Sequence, residues 1–225
     1  MMQALDAKLR AGLAALGLAL SDAQVASLLD YQTLIGKWNK VYNLTAVREP
    51  GEMLTHHLLD SLTVIAPLRR QLAQMMPGAE GQVLRLLDVG SGAGLPGVVI
   101  AVCCPEIQVD CVDTVGKKAA FIQQAAVTLR LPNLRGLHAR VENLTDTYQV
   151  ISSRAFASLP DFTNWSRQAL APQGVWMAMK GKRPDDELAA LPPDIDVFHV
   201  EHLSVPGLDA ERCLIWMKAV VRHAD

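Results

Sequence analysis

Cysteine is scarce and badly spaced for chemistry. The four cysteines, Cys103, Cys104, Cys111 and Cys213, contain no CxxC pair and all stand in apolar runs. That argues against a zinc site or a disulfide framework and reads as small buried residues in a reducing compartment. No stretch approaches the ~20 apolar residues of a membrane span. Positive charge is not in surplus: 21 Lys and Arg face 23 Asp and Glu, a net charge of −2. A general nucleic-acid binder would be basic, so any RNA contact must come from a local patch. There are no internal repeats and no low-complexity tracts. A secretory signal is disfavoured too. Lys8 and Arg10 precede the apolar residues 11–20, and 18–23 imitates a cleavage site, but Asp6 sits in the basic region and two glycines weaken the run. Leu5, Leu9, Leu13 and Leu16 instead recur as one face of an amphipathic helix.

Half of the 225 residues are hydrophobic, enough for one large domain with a small appendage. The first third reads as helices. After a helix over 1–20, Ser21 and Gln24 form a capping box, followed by a helix with Leu28, Tyr31, Leu34, Ile35 and Trp38 on one side, ending near 39–40. Residues 43–45 make a turn. Pro50 and Gly51 open another helix whose inner stripe is Leu54, His57, Leu58, Ser61, Leu62 and Ile65. A loop over 75–81 divides this helical cap, residues 1–78, from the main domain, residues 79–225. From Val83 strands and helices alternate, the pattern of a doubly wound α/β sheet. Strands are expected at 83–89, 108–112, 134–139, 148–152, 175–179, 196–203 and 213–220. Helices are expected through 102, over 116–131, 159–170 and 184–191. In the second of these, Ala120, Phe121, Gln124, Val127 and Leu131 recur at helical spacing. The last two strands, joined through Val205, Pro206 and Gly207, suggest an antiparallel hairpin at the sheet edge.

The chain is organised around residues 85–97, RLLDVGSGAGLPG. A short apolar run ends at Asp88 and Val89; Gly90, Gly92 and Gly94 follow; Pro96 stands in the first turn of a helix, where its missing N–H costs nothing. Such a turn lets a ligand touch the backbone and aims free N–H groups at it. Residues 92–97 match the dinucleotide pattern GxGxxG, but that fingerprint should begin at the strand end. Counted from Gly90, its third glycine falls on Leu95. A nicotinamide-dependent oxidoreductase is therefore the weaker reading. The pattern acid-x-G-x-G-x-G resembles the S-adenosylmethionine loop of class I methyltransferases, in which Asp88 orients the loop and the methionine end of the cofactor. The competing role for Asp88 is a turn cap. Asp113 ends strand two, 23 residues after Gly90, where an acid accepts ribose hydroxyls. Arg140, Val141 and Glu142 follow strand three, where that superfamily holds adenine. Strand four ends in Ser152, Ser153, Arg154, Ala155 and Phe156. The Asn/Asp-Pro-Pro-aromatic run of amino-methylating enzymes is missing there, and so is the Cys of carbon-methylating ones. An arginine in that place suits an acceptor needing neither base nor nucleophile, such as N7 of guanine, with Arg154 pairing O6 or a phosphate. The alternative for Arg154 is a surface ion pair. Lys180 follows strand five on the same edge. Lys117, Lys118, Arg140, Lys182 and Arg183 could complete a basic patch. His56 and Asp60 share a helix face; His57 is read as a core histidine, and no general base is assigned.

Taken together, residues 37–45 (KWNKVYNLT), 57–61 (HLLDS), 88–97, 153–158 (SRAFAS) and 179–181 (MKG) resemble, in order and over nearly the whole chain, the bacterial 16S ribosomal RNA guanine-N7 methyltransferase family, once called glucose-inhibited division protein B. The resemblance implies a Rossmann-like fold with a mostly parallel seven-stranded sheet and an N-terminal helical cap. It implies S-adenosylmethionine as methyl donor and guanine 527, in the 530 loop of 16S rRNA, as acceptor. Gly90, Leu95, Val141, Glu142 and Arg154 fall on the family's cofactor positions. Residues and resemblance together assign Asp88, Gly90, Gly92, Gly94, Leu95, Asp113, Val141, Glu142 and Arg154 to the cofactor, and Arg154 and Lys180 to the guanine. A cytoplasmic monomer acting on 16S rRNA or the 30S subunit is expected, with no metal and no membrane. A non-catalytic RNA-binding factor with a vestigial loop is the remaining rival.

Overall fold

The strand that precedes the glycine loop, β1 (Leu84–Val89), is buried through its last four residues, as a strand covered on both faces must be. It lies in a computed structural model of the chain that describes residues 2–75 and 83–220. Its neighbours are β2 (Ile107–Asp113) and β4 (Tyr148–Arg154), both parallel to it, with Val89 opposite Val112 on one side and Ser153 on the other. Beyond them lie β3 (Leu134–His138) and β5 (Leu170–Lys180), and then β7 (Cys213–Ala219) and β6 (Ile195–His202). The order is β3-β2-β1-β4-β5-β7-β6, and only β7 runs antiparallel to its neighbours. The hairpin expected at the edge is present, but its second strand is the inner one. Strand order reverses between β1 and β4, and that switch point opens a crevice above their carboxyl ends.

Alternation along the strands sends side chains to two cores. In β5, Val175, Met177 and Met179 face one side, and Trp176 and Ala178 the other. The first side is covered by α6 (Gly97–Cys103), α7 (Gly116–Thr128) and the N-terminal helices. The second is covered by α8 (Leu159–Ser166) and by α9 (Asp185–Ala189), which brings Leu188. The expected stripe of α7 is only partly met. Phe121 is buried, but Val127 is 74% exposed, and the inner face is Ala119, Ile122, Ala125 and Ala126. Alanine stands on both faces of this helix, so sequence spacing alone could not choose between them.

The N-terminal layer is α1 (Met2–Ala15), α2 (Asp22–Tyr42), α3 (Pro50–Met53), α4 (Asp60–Leu62) and α5 (Ile65–Met75), with a π-helical stretch, Leu54–Leu59, between α3 and α4. The Ser21–Gln24 capping box forms as expected, and the Gln24 amide also donates to the Val102 carbonyl at 2.9 Å, tying the start of α2 to α6. Asn43 ends α2 in the left-handed region, φ 49°, a common helix stop. Leu9, Leu28, Tyr31 and Ile35 belong to the same continuous core as Val98, Ile100 and Phe121. The helical layer therefore shares its core with one face of the sheet. Residues 76–82, where the domain boundary is expected, lie outside the described residues.

Candidate active site

The glycine loop begins where β1 ends. Gly90 and Ser91 donate N–H groups to the Val112 carbonyl at 2.9 and 3.3 Å, which turns the chain back over β2. Gly90 has φ +63°, and a methyl group there would overlap the Phe156 ring. Gly92 has φ +59°, and a methyl group there would meet nothing within 4 Å, because the position faces open space. Gly94 faces backwards, against Val98 and the Tyr31 hydroxyl. Tyr31, from α2, donates to the Ala93 carbonyl at 2.5 Å and so holds the loop from the helical layer.

Asp88 lies beneath this loop and is fully buried. Its Oδ2 accepts the Gly97 N–H at 3.0 Å, and its Oδ1 is bonded to the Ser152 hydroxyl at 2.8 Å. Burial, opposed by these two hydrogen bonds, raises its pKa from 3.8 to about 7. Asp113 braces the loop from the other side. Its Oδ2 accepts the Gly92 N–H at 3.0 Å and its Oδ1 the Val115 N–H at 2.9 Å, with the Lys118 ammonium 3.6 Å away. Each carboxylate oxygen has a further lone pair, so these bonds leave acceptor capacity.

Two cavities meet above the strand ends. One, about 430 Å³, is lined by Asp113, Val141, Glu142, Phe156 and Trp165, with Gly90 and Lys118. The other, about 540 Å³, shares Gly90 and Lys118 and is lined by Ser91, Gly92, Leu95, His57, Asp60, Arg154, Lys180 and Arg212. The second contains a cluster of charge. The buried Asp60 carboxylate accepts Arg154 Nη1 on Oδ2 at 2.8 Å and Arg212 Nε on Oδ1 at 2.9 Å, and Arg154 Nη1 also donates to the His56 carbonyl at 3.1 Å. One carboxylate thus aligns two guanidinium groups on a single wall. Lys180 is held aside: its ammonium donates to the Ala157 carbonyl and to Glu187, each at 2.8 Å. His57 bonds the Thr45 hydroxyl through Nε2 at 2.8 Å. Burial first, and then the Arg154 charge, push its pKa down to about 4, so the ring is neutral near pH 7. The Ser91 hydroxyl and His57 Nδ1, both buried, have no partner among the described residues.

Of the residues expected to meet a cofactor, Gly90, Gly92, Leu95, Asp113, Val141, Glu142 and Arg154 line this double cavity. Asp88 and Gly94 are not in its lining: Asp88 is bonded beneath the loop, and Gly94 faces Val98 and the Tyr31 hydroxyl. Pro96 precedes α6 rather than opening its first turn, after a cis Leu95–Pro96 bond. Of the expected basic patch, Lys118 and Arg140 line the cavities, whereas Lys182 and Arg183 border a separate small one. Sequence reasoning missed Arg212 and the role of Asp60. They are 152 residues apart, and no local pattern links them. Among the described residues no group of three or more His, Cys, Asp or Glu is placed to hold a metal, and no helix is long and apolar enough to cross a membrane.

Comparison with known proteins gives the family and the fold. The family profile GidB, described as rRNA small subunit methyltransferase G, matches residues 24–215. A Polaromonas sp. (strain JS666) protein named ribosomal RNA small subunit methyltransferase G is 70% identical over 93% of this chain and 92% of its own length. One of the same name from Albidiferax ferrireducens is 68% identical over 96% and 98%. Among solved structures, a SAM-dependent methyltransferase from Aquifex aeolicus superposes with a TM-score of 0.54 at 15% identity, over 76% of this chain and 99% of that one. Coclaurine N-methyltransferase, bound to N-methylheliamine and SAH, gives 0.54 at 11%, over 96% and 94%. These two likenesses establish the fold alone. With its family profile spanning most of the sequence and its relatives matched almost end to end, the chain belongs to the rRNA small subunit methyltransferase G family.

Proposed function

We propose that the protein methylates N7 of one guanine of 16S rRNA, guanine 527 by family resemblance, from S-adenosylmethionine and without a general base. It does so in the bacterial cytoplasm, as a monomer, on 16S rRNA or the 30S particle. The cavities suit the donor. Gly92 leaves room for a ligand against the backbone, the buried Ser91 hydroxyl lacks a partner among the described residues, and Asp113 retains acceptor capacity for ribose hydroxyls. Val141 and Glu142, which line the same cavity as Asp113, would hold the adenine. Bound S-adenosylmethionine supplies an electrophilic methyl group on a sulfonium sulfur.

The observation that carries the N7 reading is the Arg154–Asp60–Arg212 cluster facing the glycine loop across one cavity. Both oxygens of its carboxylate are committed to arginines, which makes it an anchor for them. Guanine N7 offers a lone pair and bears no proton, so nothing has to be removed. Arg154 donates to O6, or to a phosphate, and fixes the ring. The ring gains positive charge as the methyl arrives, and Asp60 offsets part of the charge around it. Lys180 reaches the guanine once released from Glu187. Catalysis is then mainly alignment of the lone pair with the methyl group. The test is methyl transfer from labelled donor to 16S rRNA and to 30S particles lacking the modification, mapped by cleavage at N7-methylguanine. A single labelled guanine in the 530 loop is expected. Label at another atom or base overturns the assignment.

A further inference from the structure

A third cavity, about 400 Å³, lies outside this site, between α1, α2 and the start of α3. Its apolar wall is Leu5, Leu29 and Met53. Gln32 stands in the same wall, 5% exposed. Its amide nitrogen donates to the Pro50 carbonyl at 2.8 Å, which fixes the direction of the amide, and its Oε1 is buried with no partner among the described residues. A buried orphan acceptor is costly unless a donor comes to it. Gly36 lines the cavity from the middle of α2, where glycine weakens a helix. No close approach demands it, because a methyl group there would meet nothing within 4 Å. What the glycine provides is room. Lys37, Lys40 and Arg48 border the opening, and none pairs with a carboxylate among the described residues. Of the neighbouring acids, Asp6 pairs with Arg10 and Glu49 accepts the Glu52 N–H. No acidic residue lines the cavity among the described residues.

In a chain of net charge −2, an apolar slot with one orphan acceptor and three cations at its mouth has the chemistry of a nucleotide site. We propose that this cavity takes an unpaired nucleotide of the RNA substrate. The base enters the apolar slot, an amino or imino N–H meets Gln32 Oε1, and the flanking phosphates lie on Lys37, Lys40 and Arg48. The inference rests on the rRNA reading above and extends it to a second anchoring point. Its place in the fold suits that task. The helix that carries Gln32, Gly36, Lys37 and Lys40 stops at Asn43, and the next two residues, Leu44 and Thr45, line the catalytic cavity. One RNA strand can therefore follow α2 from the slot to the methylated guanine, with an anchor a few nucleotides away from the reacting base. Single-stranded RNA is held by hydrogen bonds to the edge of a splayed-out base and by cations along its phosphates; here aliphatic side chains, rather than aromatic rings, meet the base face.

The test uses the full chain, a protein-free rRNA fragment containing the methylated guanine, and 30S particles lacking the methyl group. Gly36→Leu fills the slot, and the double variant Lys37→Glu/Lys40→Glu reverses its rim. Both are expected to raise KM for the protein-free fragment at least tenfold, while kcat at saturating RNA and the donor Kd stay within twofold of wild type. The rim variant also flattens the salt dependence of RNA binding, by roughly one in slope for each phosphate that is no longer neutralised. Unchanged KM and RNA affinity in both variants overturn the proposal. A rise confined to 30S particles overturns it in favour of a contact with a ribosomal protein. If Gly36→Leu does not fold, the surface variant decides. Should the wild type transfer no methyl to either RNA, the rRNA reading fails separately, and fluorescence anisotropy of the labelled fragment, wild type against each variant, still reads the cavity.

Discussion

Replacing Asp88 by Asn is expected to make the protein more stable at neutral pH. Asp88 is fully buried beneath the glycine loop, and burial raises its pKa from 3.8 to about 7. Below about pH 7 the folded protein holds a proton there that the unfolded chain gives up above 3.8. In that window the folded state binds more protons, so stability falls as pH rises. At about 1.4 kcal/mol per tenfold, the loss reaches about 4 kcal/mol by pH 7. His57 works in the opposite sense. Its pKa is pushed from 6.5 down to about 4, so the unfolded chain binds more protons between those values. Its contribution, about 3 kcal/mol, is present above pH 6.5 and lost as pH falls to 4. From pH 4 to 6.5 the two slopes nearly cancel in the wild type.

Asn fits the site of the neutral acid. With its oxygen toward the Gly97 N–H, its amide donates to the Ser152 oxygen, and the Ser152 hydroxyl turns to the Leu87 carbonyl, now 3.5 Å away. Urea unfolding followed by tryptophan fluorescence, at half-unit steps from pH 4.5 to 8, reads the difference directly. The advantage of Asp88→Asn should grow with pH, to about 4 kcal/mol at pH 7.5, and the variant alone should show the rising His57 slope below pH 6.5. A pH-independent difference, or a variant less stable than wild type at pH 8, would mean that Asp88 is ionised and well solvated in the fold, and the reasoning fails.

Other outcomes follow from the same contacts. Gly92→Ala should cost only about 1 kcal/mol of stability, from its left-handed backbone, yet weaken donor binding strongly, because its methyl group projects into the open crevice. Gly90→Ala meets the Phe156 ring and should lose stability and binding together; calorimetry of folding and of donor binding separates the two. Asp60→Ala removes the common anchor of Arg154 and Arg212 and should lower kcat by about 10–100-fold, one charge-assisted hydrogen bond being worth about 1.5–3 kcal/mol. Retention of full turnover would show that those arginines need no anchoring. Lys180→Ala should spare the donor Kd and reduce turnover in single-turnover assays; unchanged turnover removes Lys180 from the reaction.

Much of the site was legible where function depends on short spacing. The strand, three glycines and helix start at 84–103 follow from an apolar run and the conformations only glycine takes easily. Asp113 follows from its place at a strand end, 23 residues after Gly90, whereas Val141 and Glu142 are legible only through the resemblance to methyltransferases. The errors came where a pattern was ambiguous or a partner distant. Alanine on both faces of α7 hid its inner side. Asp88 is assigned to the cofactor from the acid-x-G-x-G-x-G resemblance; its carboxylate is bonded to Gly97 and Ser152 beneath the loop, partners that the spacing did not indicate.

Local pattern was enough to establish the alternation of strands and helices, the glycine turn, the helical N-terminal third, and the want of any long apolar span or cysteine-metal motif. These are set by side-chain periodicity and backbone conformational preference over a few residues. Long-range packing alone settled that the last strand inserts between β5 and β6, that the helical layer and one sheet face share a single core, and that Asp60 gathers Arg154 and Arg212 from 94 and 152 residues away. Those choices rest on which surfaces bury one another and where a buried charge finds its partners, and no short stretch of the chain contains that information.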